Sequence, residues 1–193
     1  MKTFALALVL ALTAAPVAAQ TVDPLQSETL MKKVINEPGT TYVFYGSGLT
    51  NKVMKDPEIP GGEYIRVDVG SKGAHPYDAG GGYPIRKPIK AGDVIFFAIY
   101  ARAPNLKPGE TGSLPGLGVC QDGAPYTPIA VGDVRITNQW GVYYVSGKAS
   151  SAWARGAAHV AMQLAADKQV IDLGPVFVLD LGPDYDINTL PHN

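Results

Sequence analysis

The sequence predicts an all-β fold, an antiparallel β-sandwich of the jelly-roll type, and three observations carry that prediction. Twenty-two glycines and sixteen prolines fall in clusters that separate short apolar runs, the punctuation expected of strands joined by turns. Several of those runs alternate apolar and polar residues with period two, as strands with one buried face do. Signals for long amphipathic helices are nearly absent.

Taken along the chain, the first element is not part of the fold. Lys2 precedes an apolar run from Phe4 to Leu12, then Pro16 and the small-residue ending Val17-Ala18-Ala19. That order is a secretory signal peptide covering residues 1–19 with cleavage after Ala19. The run is too short to span a bilayer, and no later segment reaches the roughly 20 apolar residues a spanning helix needs. The expectation is therefore a periplasmic or secreted protein with no membrane partner, whose residues 20–193 form a single domain. Sixteen basic and seventeen acidic residues are scattered without runs, so no electrostatic footprint for nucleic acid is present. Cys120 is the single cysteine, which excludes an intrachain disulfide.

After a short helix-like stretch at 27–34, the strand-like runs are 41–45, 63–69, 93–103, 117–121, 134–136, 140–146, 157–165 and 170–181. In the second run Ile65, Val67 and Val69 form one face and Tyr64, Arg66 and Asp68 the other, so the first set belongs in the core. In the third run Ile95, Phe97, Ile99 and Ala101 share a face, opposite Tyr100 and Arg102; its apolar start on both faces marks a central strand. In 157–165 Ala158, Val160, Met162 and Leu164 alternate with Ala157, His159, Ala161 and Gln163, and the second, small and polar face is open to solvent or ligand. Some eight antiparallel strands of this length close into two packed sheets. The tail after Tyr185 reads as loop.

Nucleophile and cofactor motifs are missing. There is no Gly-x-Ser-x-Gly elbow, and Cys120 in a strand-like run reads as a buried thiol. Gly80-Gly81-Gly82 lacks the Gly-Lys-Ser/Thr ending of a phosphate cradle and reads as a loop. His75, His159 and His192 have no metal-ligand spacing. Asp56, Asp93, Asp122 and Asp133 stand beside turns, where Asp bonds nearby amides.

What remains is a set of aromatic rings and planar polar groups: Tyr77, Tyr100, Tyr126, Trp140 and Trp153 with Arg102, Gln121, His159 and Gln163. A ring can cover the C–H face of a pyranose, and Arg and Gln offer several hydrogen bonds to adjacent hydroxyls. A buried core is the competing reading for Trp140, and a solvated sheet face is the competing reading for Arg102, Gln121 and Gln163.

The order of several short motifs adds a resemblance. His75-Pro76-Tyr77-Asp78, then the run from Pro88 to Val94 and Tyr100-Ala101-Arg102, then the run from Gln121 to Thr127, the Trp140-Gly141-Val142-Tyr143-Tyr144 segment, Gln163-Leu164 and the run from Gln169 to Val176 resemble carbohydrate-binding modules of families four and nine. The resemblance spans residues 42–191 and is greatest to modules that precede the catalytic barrel of some family-ten, xylanase-like glycoside hydrolases. It implies a galactose-binding-like jelly roll with ligand on a concave sheet, at Arg102, Gln121, Tyr126 and Gln163 by matching motif. It also implies a structural calcium between the chain's beginning and its last strand, with Asp172 as the matching carboxylate. No other cofactor is expected.

Two functions follow as expectations. The first is noncatalytic binding of a poly- or oligosaccharide, with Tyr77, Tyr100 and His159 beside the four matched residues and a separate glycan-degrading enzyme as a partner. The second is a polysaccharide lyase, in which Arg or Gln neutralises a uronate carboxylate while His159 and Tyr100 or Tyr126 move the protons. Convergence of Arg102, Gln121, His159 and Gln163 on one groove is the structural feature to look for.

Overall fold

The computed structural model describes residues 28–193, so the signal sequence expected at 1–19 lies outside the described residues. Ten strands follow one helical turn, Glu28–Met31. They are β1 Val43–Tyr45, β2 Leu49–Lys55, β3 Glu63–Val69, β4 Gly80–Pro84, β5 Val94–Arg102, β6 Gly112–Gln121, β7 Pro128–Ile136, β8 Gly141–Lys148, β9 Ala158–Gln163 and β10 Gln169–Asp180. Two five-stranded sheets result, one ordered β2-β3-β10-β5-β8 and the other β1-β4-β9-β6-β7, here called the closed and the open sheet. All named strand pairs are antiparallel. The jelly-roll sandwich expected from the sequence is the fold observed. Among the described residues no helix is long and apolar enough to cross a membrane.

The period-two faces read from the sequence decide which side of each strand meets the other sheet. Ile65, Val67, Ile95, Phe97, Ile99, Val119, Val160, Met162, Ile171 and Leu173 fill the space between the sheets. A second apolar cluster sits on the outer face of the closed sheet, where Tyr64, Phe96, Ala98, Tyr100, Phe177 and Leu179 are covered by Val34, Ile59 and Leu190. The segment before β1 is tied there by a bridge from Val34 to Leu179. Asn36 also fixes it, its amide donating to the Val176 carbonyl and accepting from the Val178 N–H. The centre of the closed sheet, β10 and β5, is therefore buried on both faces, which explains why β5 is apolar on both sides.

Two elements depart from the sequence reading. The glycine triplet 80–82 is not a loop but most of β4. Its lack of side chains hides a strand pattern, while backbone pairing to β1 and β9 makes one. The run Leu49–Lys55 is an edge strand, exposed over most of its length, and so carries no apolar alternation to betray it.

Asp172 stands on the outer face of the closed sheet and is fully buried, at 0% exposure. Its direct cross-strand neighbours are Arg66 on β3 and Arg102 on β5. Arg66 donates through Nε and one terminal nitrogen to the two carboxylate oxygens at 2.7 and 2.8 Å, and Arg102 Nε donates at 2.8 Å. Arg102 further approaches Asp56 at 3.4 Å and lies over the Trp140 ring at 4.4 Å, while the Trp140 indole N–H donates to Asp56 at 2.8 Å. Hydrogen bonding to Asp172 raises the guanidinium pKa of Arg66 against its desolvation. The indole bond, with the Glu58 N–H, holds the Asp56 carboxyl below its ordinary value. Removing one member of a buried ion set strands the others, so Asp172→Ala should lower unfolding free energy by about 3–5 kcal/mol in denaturant titration. A loss below about 1 kcal/mol would show that the network does not hold the sheet.

Candidate functional site

With the centre of one sheet covered on both faces, the outer face of β1-β4-β9-β6-β7 is the broad sheet surface left open among the described residues, and its relief follows from the register. One row runs across the strands as Val43, Gly82, Ala161, Gly118 and Val131. Its three central members have no side chain or a single methyl, so the row is the floor of a trough flanked by the two valines. On one side lies the row Tyr45, Gly80 and Gln163. On the other lies Pro84, His159, Cys120 and Pro128.

The walls are built by side chains lying over glycine. A Cβ on Gly80 would collide with the Tyr45 hydroxyl, and one on Gly116 with the Gln163 amide. Gly116 also has φ +60, a left-handed conformation that glycine adopts without the steric cost of a side chain, and its N–H donates to Asp133 at 2.9 Å. Burial, then the neighbouring Cys120 and Tyr126, push the Tyr45 phenol up, so Tyr45 remains a neutral hydroxyl that can donate and accept.

At the opposite wall His159 rests on Cys120, with Sγ 3.7 Å from Nε2, and its Nδ1 is 3.5 Å from an Asp122 oxygen. Burial lowers the His159 pKa against the opposing pull of Asp122. Burial also pushes the Cys120 thiol up to about 11. A Cys, a His and an Asp thus stand in line, but the thiol is buried and protonated, the reverse of the lowered pKa a nucleophilic cysteine needs. These contacts pack the imidazole against the buried thiol. Beyond it the loop from β6 to β7 presents Tyr126, 61% exposed, at φ +56 and tied by its N–H to the Gly123 carbonyl at 2.8 Å. Beyond the other wall, the turn Pro76–Asp78 carries Tyr77 stacked on His75, ring centroids 4.9 Å apart.

The expected residues divide between the two sheets. His159, Gln163, Tyr126 and Tyr77 border the open face. Gln121 is on β6 but pairs with inward-facing Ala158, so its phase turns it away from His159, and its amide reaches the Ala124 carbonyl at 3.5 Å. Tyr100 and Arg102 lie on the outer face of the closed sheet, Tyr100 within its apolar cover and Arg102 on Asp172. The expected convergence of Arg102 and Gln121 with His159 and Gln163 is thereby corrected: strand phase turns one away, and the sandwich separates the other. Trp140 belongs to the Arg102 network, and Trp153 is packed in the core. Calcium at Asp172 does not fit either. Both carboxylate oxygens accept from arginine, whose positive charges repel a cation, and no group of three acidic, His or Cys side chains gathers for a metal among the described residues.

Sequence reasoning missed Val43, Tyr45, Gly82 and Gly118. The available signal was the glycine at alternate positions 80 and 82 opposite the small face of β9, but it could be seen only once those segments were paired.

No protein-family model matches the sequence, and no curated protein matches it. Solved structures match by fold. The second N-terminal cellulose-binding domain of Cellulomonas fimi β-1,4-glucanase C is 15% identical, with a TM-score of 0.52 over 76% of this chain and 94% of that one. A CBM4 domain is 19% identical, with a TM-score of 0.52 over 72% and 94%. The CBM22-1–GH10 portion of Clostridium thermocellum xylanase 10B, in complex with xylohexaose, is 11% identical, with a TM-score of 0.51 over 80% of this chain and 30% of that one. The chain shares the β-sandwich of these carbohydrate-binding domains.

A histidine held below its ordinary pKa contributes stability that is present above about pH 6.5 and is lost as pH falls through its folded-state value. Thermal unfolding from about pH 8 down to pH 5 should show that loss, and His159→Gln should remove part of it. An unchanged pH profile in the variant would mean that His159 is not buried against Cys120.

Proposed function

We propose that this protein is a noncatalytic carbohydrate-binding module that holds a glycan chain in the trough across the open sheet. The observation that carries the reading is the small-residue row Gly82, Ala161 and Gly118 between two polar walls, on a broad sheet face that the described residues leave uncovered. A pyranose ring has apolar C–H faces and a hydroxyl rim. The floor gives the ring room to lie close to the backbone, while Gln163, Tyr45 and His159 provide amide, phenol and imidazole groups for hydroxyls, and Tyr126 and Tyr77 provide faces for stacking at the margins.

Charge selects within that class. Asp122 and Asp133 stand beside the trough, with Arg135 on β7 two positions beyond Asp133 and Arg155 in the turn four positions before His159. Asp122, 3.5 Å from His159 Nδ1, would repel the carboxylates of a polyuronate at that wall, so the ligand class we put first is a neutral glycan. The fold neighbours named for cellulose and for xylohexaose support β-linked neutral glucans and xylans as the first ligands to try.

The lyase reading loses its chemistry. Of the groups expected to neutralise a uronate carboxylate beside the base, Arg102 is committed to Asp172 on the other sheet and Gln121 is turned away from His159, which leaves Gln163 alone on the open face. A protein acting by binding alone is a natural partner for a separate glycan-degrading enzyme, with export through the N-terminal signal placing it in the periplasm or outside the cell.

The test is a substitution that fills the floor without disturbing the fold. A Cβ on Gly82 meets nothing closer than 3.5 Å, and valine suits a strand. Gly82→Val should stay within about 1 kcal/mol of wild-type stability while affinity electrophoresis or calorimetry against soluble β-glucan and xylan shows a loss of at least about tenfold. Arg102→Ala should lower stability with little direct effect on affinity. Absence of wild-type binding across neutral glycans, or release of an unsaturated, ultraviolet-absorbing uronate from alginate or pectin, would overturn the proposal.

A further inference from the structure

Of the two tyrosines at the margins of the trough, Tyr77 is held as a platform. Its ring stacks on the His75 imidazole with centroids 4.9 Å apart and planes 12° from parallel, and the residue is 55% exposed. One face of the ring is backed by the imidazole, and the other is left to solvent. The turn beneath is fixed at several points. The His75 N–H donates to the Asp78 carboxylate at 2.8 Å, the Asp78 N–H donates to the His75 carbonyl at 3.1 Å, and the Ala165 N–H donates to the Pro76 carbonyl at 3.0 Å. A ring ordered in advance presents its face to a sugar without the cost of immobilising it on binding.

The platform stands off the axis of the trough. The floor row Val43, Gly82, Ala161, Gly118 and Val131 crosses the strands, so a main chain lying on it passes from strand to strand in steps of about 5 Å. The turn lies instead in the direction of β9 itself. Its Pro76 carbonyl is bonded to Ala165, four positions beyond Ala161 and so about 13 Å from it at the rise of a strand. Gln163 stands between the two as the wall. Ala165 follows Gln163 in the outward phase yet is buried, because Gly73 packs on it so closely that a Cβ there would lie 3.0 Å from the Ala165 Cβ. The segment 73–78 therefore rises on the open side of the sheet, beside the wall. A main chain held between the walls cannot bring its own successive rings to Tyr77, whereas a substituent that leaves it over Gln163 can.

We infer that Tyr77 is a lateral subsite for a short sugar branch, so that the ligand class of the trough is a neutral glycan whose main chain carries side branches. The inference rests on the glycan reading of the trough and narrows it. A branch pyranose offers an apolar C–H face that matches the free face of the ring. Gln163 lies over Gly116 and brings to the branch point an amide that both donates and accepts.

The experiment measures by calorimetry the affinity of the full chain for unsubstituted cello- and xylo-oligosaccharides and for oligosaccharides of the same backbones that carry sugar branches. Wild type should bind the branched set at least about fivefold more tightly. In amide-shift NMR the branched set should add shifts at Tyr77, Asp78 and Ala165 to those at Gly82 and Ala161. Tyr77→Ala should bring the ratio of branched to linear affinity to about one, and Tyr77→Phe, which keeps the ring, should retain the preference. The ratio is taken within each variant, so a disturbance of the fold that lowers both affinities does not move it. Equal wild-type affinities for the two sets, or a preference that survives in Tyr77→Ala, would overturn the inference and leave the glycan reading standing. Absence of binding to both sets would overturn that reading and the inference with it.

Discussion

The double burial of the closed sheet is the constraint on which the rest of the molecule depends. A sandwich of two sheets has two outer faces, and here one is taken up by the segment before β1, by the Ile59 loop and by the tail at Leu190. β5 and β10 thereby become interior strands on both sides. The fully buried carboxylate placed among them, Asp172, is tolerated because two cross-strand guanidinium groups accompany it. Burying that charge alone would cost several kcal/mol. With Arg66 and Arg102 it becomes a clamp across β3, β10 and β5, and a face with this cover is not open to an extended polymer.

The binding face we propose is consequently on the other sheet, where the sequence removes side chains instead of adding them. Gly82, Ala161 and Gly118 deepen the middle of the sheet, and Gly80 and Gly116 let Tyr45 and Gln163 lie over the backbone as walls. Loss of strand propensity at three successive glycines in β4 is offset by pairing on both edges, to β1 and β9. Cys120, His159 and Asp122 illustrate how environment decides chemistry. The same three side chains with a low-pKa thiol would suggest a nucleophile; buried under an imidazole, the thiol at about 11 is packing.

Alternation made much of the fold legible in the sequence, because phase survives without knowledge of neighbours: the inward faces of β3, β5 and β9 were set by residues such as Val67, Phe97 and Val160. The open, small and polar face of β9 was legible for the same reason. Glycine carries no phase, so β4 was hidden and with it the trough floor. Arg102 misled because a guanidinium beside a tyrosine is equally suited to a sugar hydroxyl and to a buried carboxylate, and its partner Asp172 lies 70 positions away in sequence. Gln121 misled through phase at the strand's last residue, where it pairs with an inward-facing alanine.

The central claim is that ligand binds to the open sheet and not to the closed one. Amide-shift mapping with a soluble neutral β-linked oligosaccharide tests it most directly. The account predicts perturbations at Val43, Gly82, Gly118, His159, Ala161 and Gln163, with Tyr64, Tyr100, Arg102 and Asp172 unmoved. Perturbations centred on those four residues, with the glycine row silent, would contradict it.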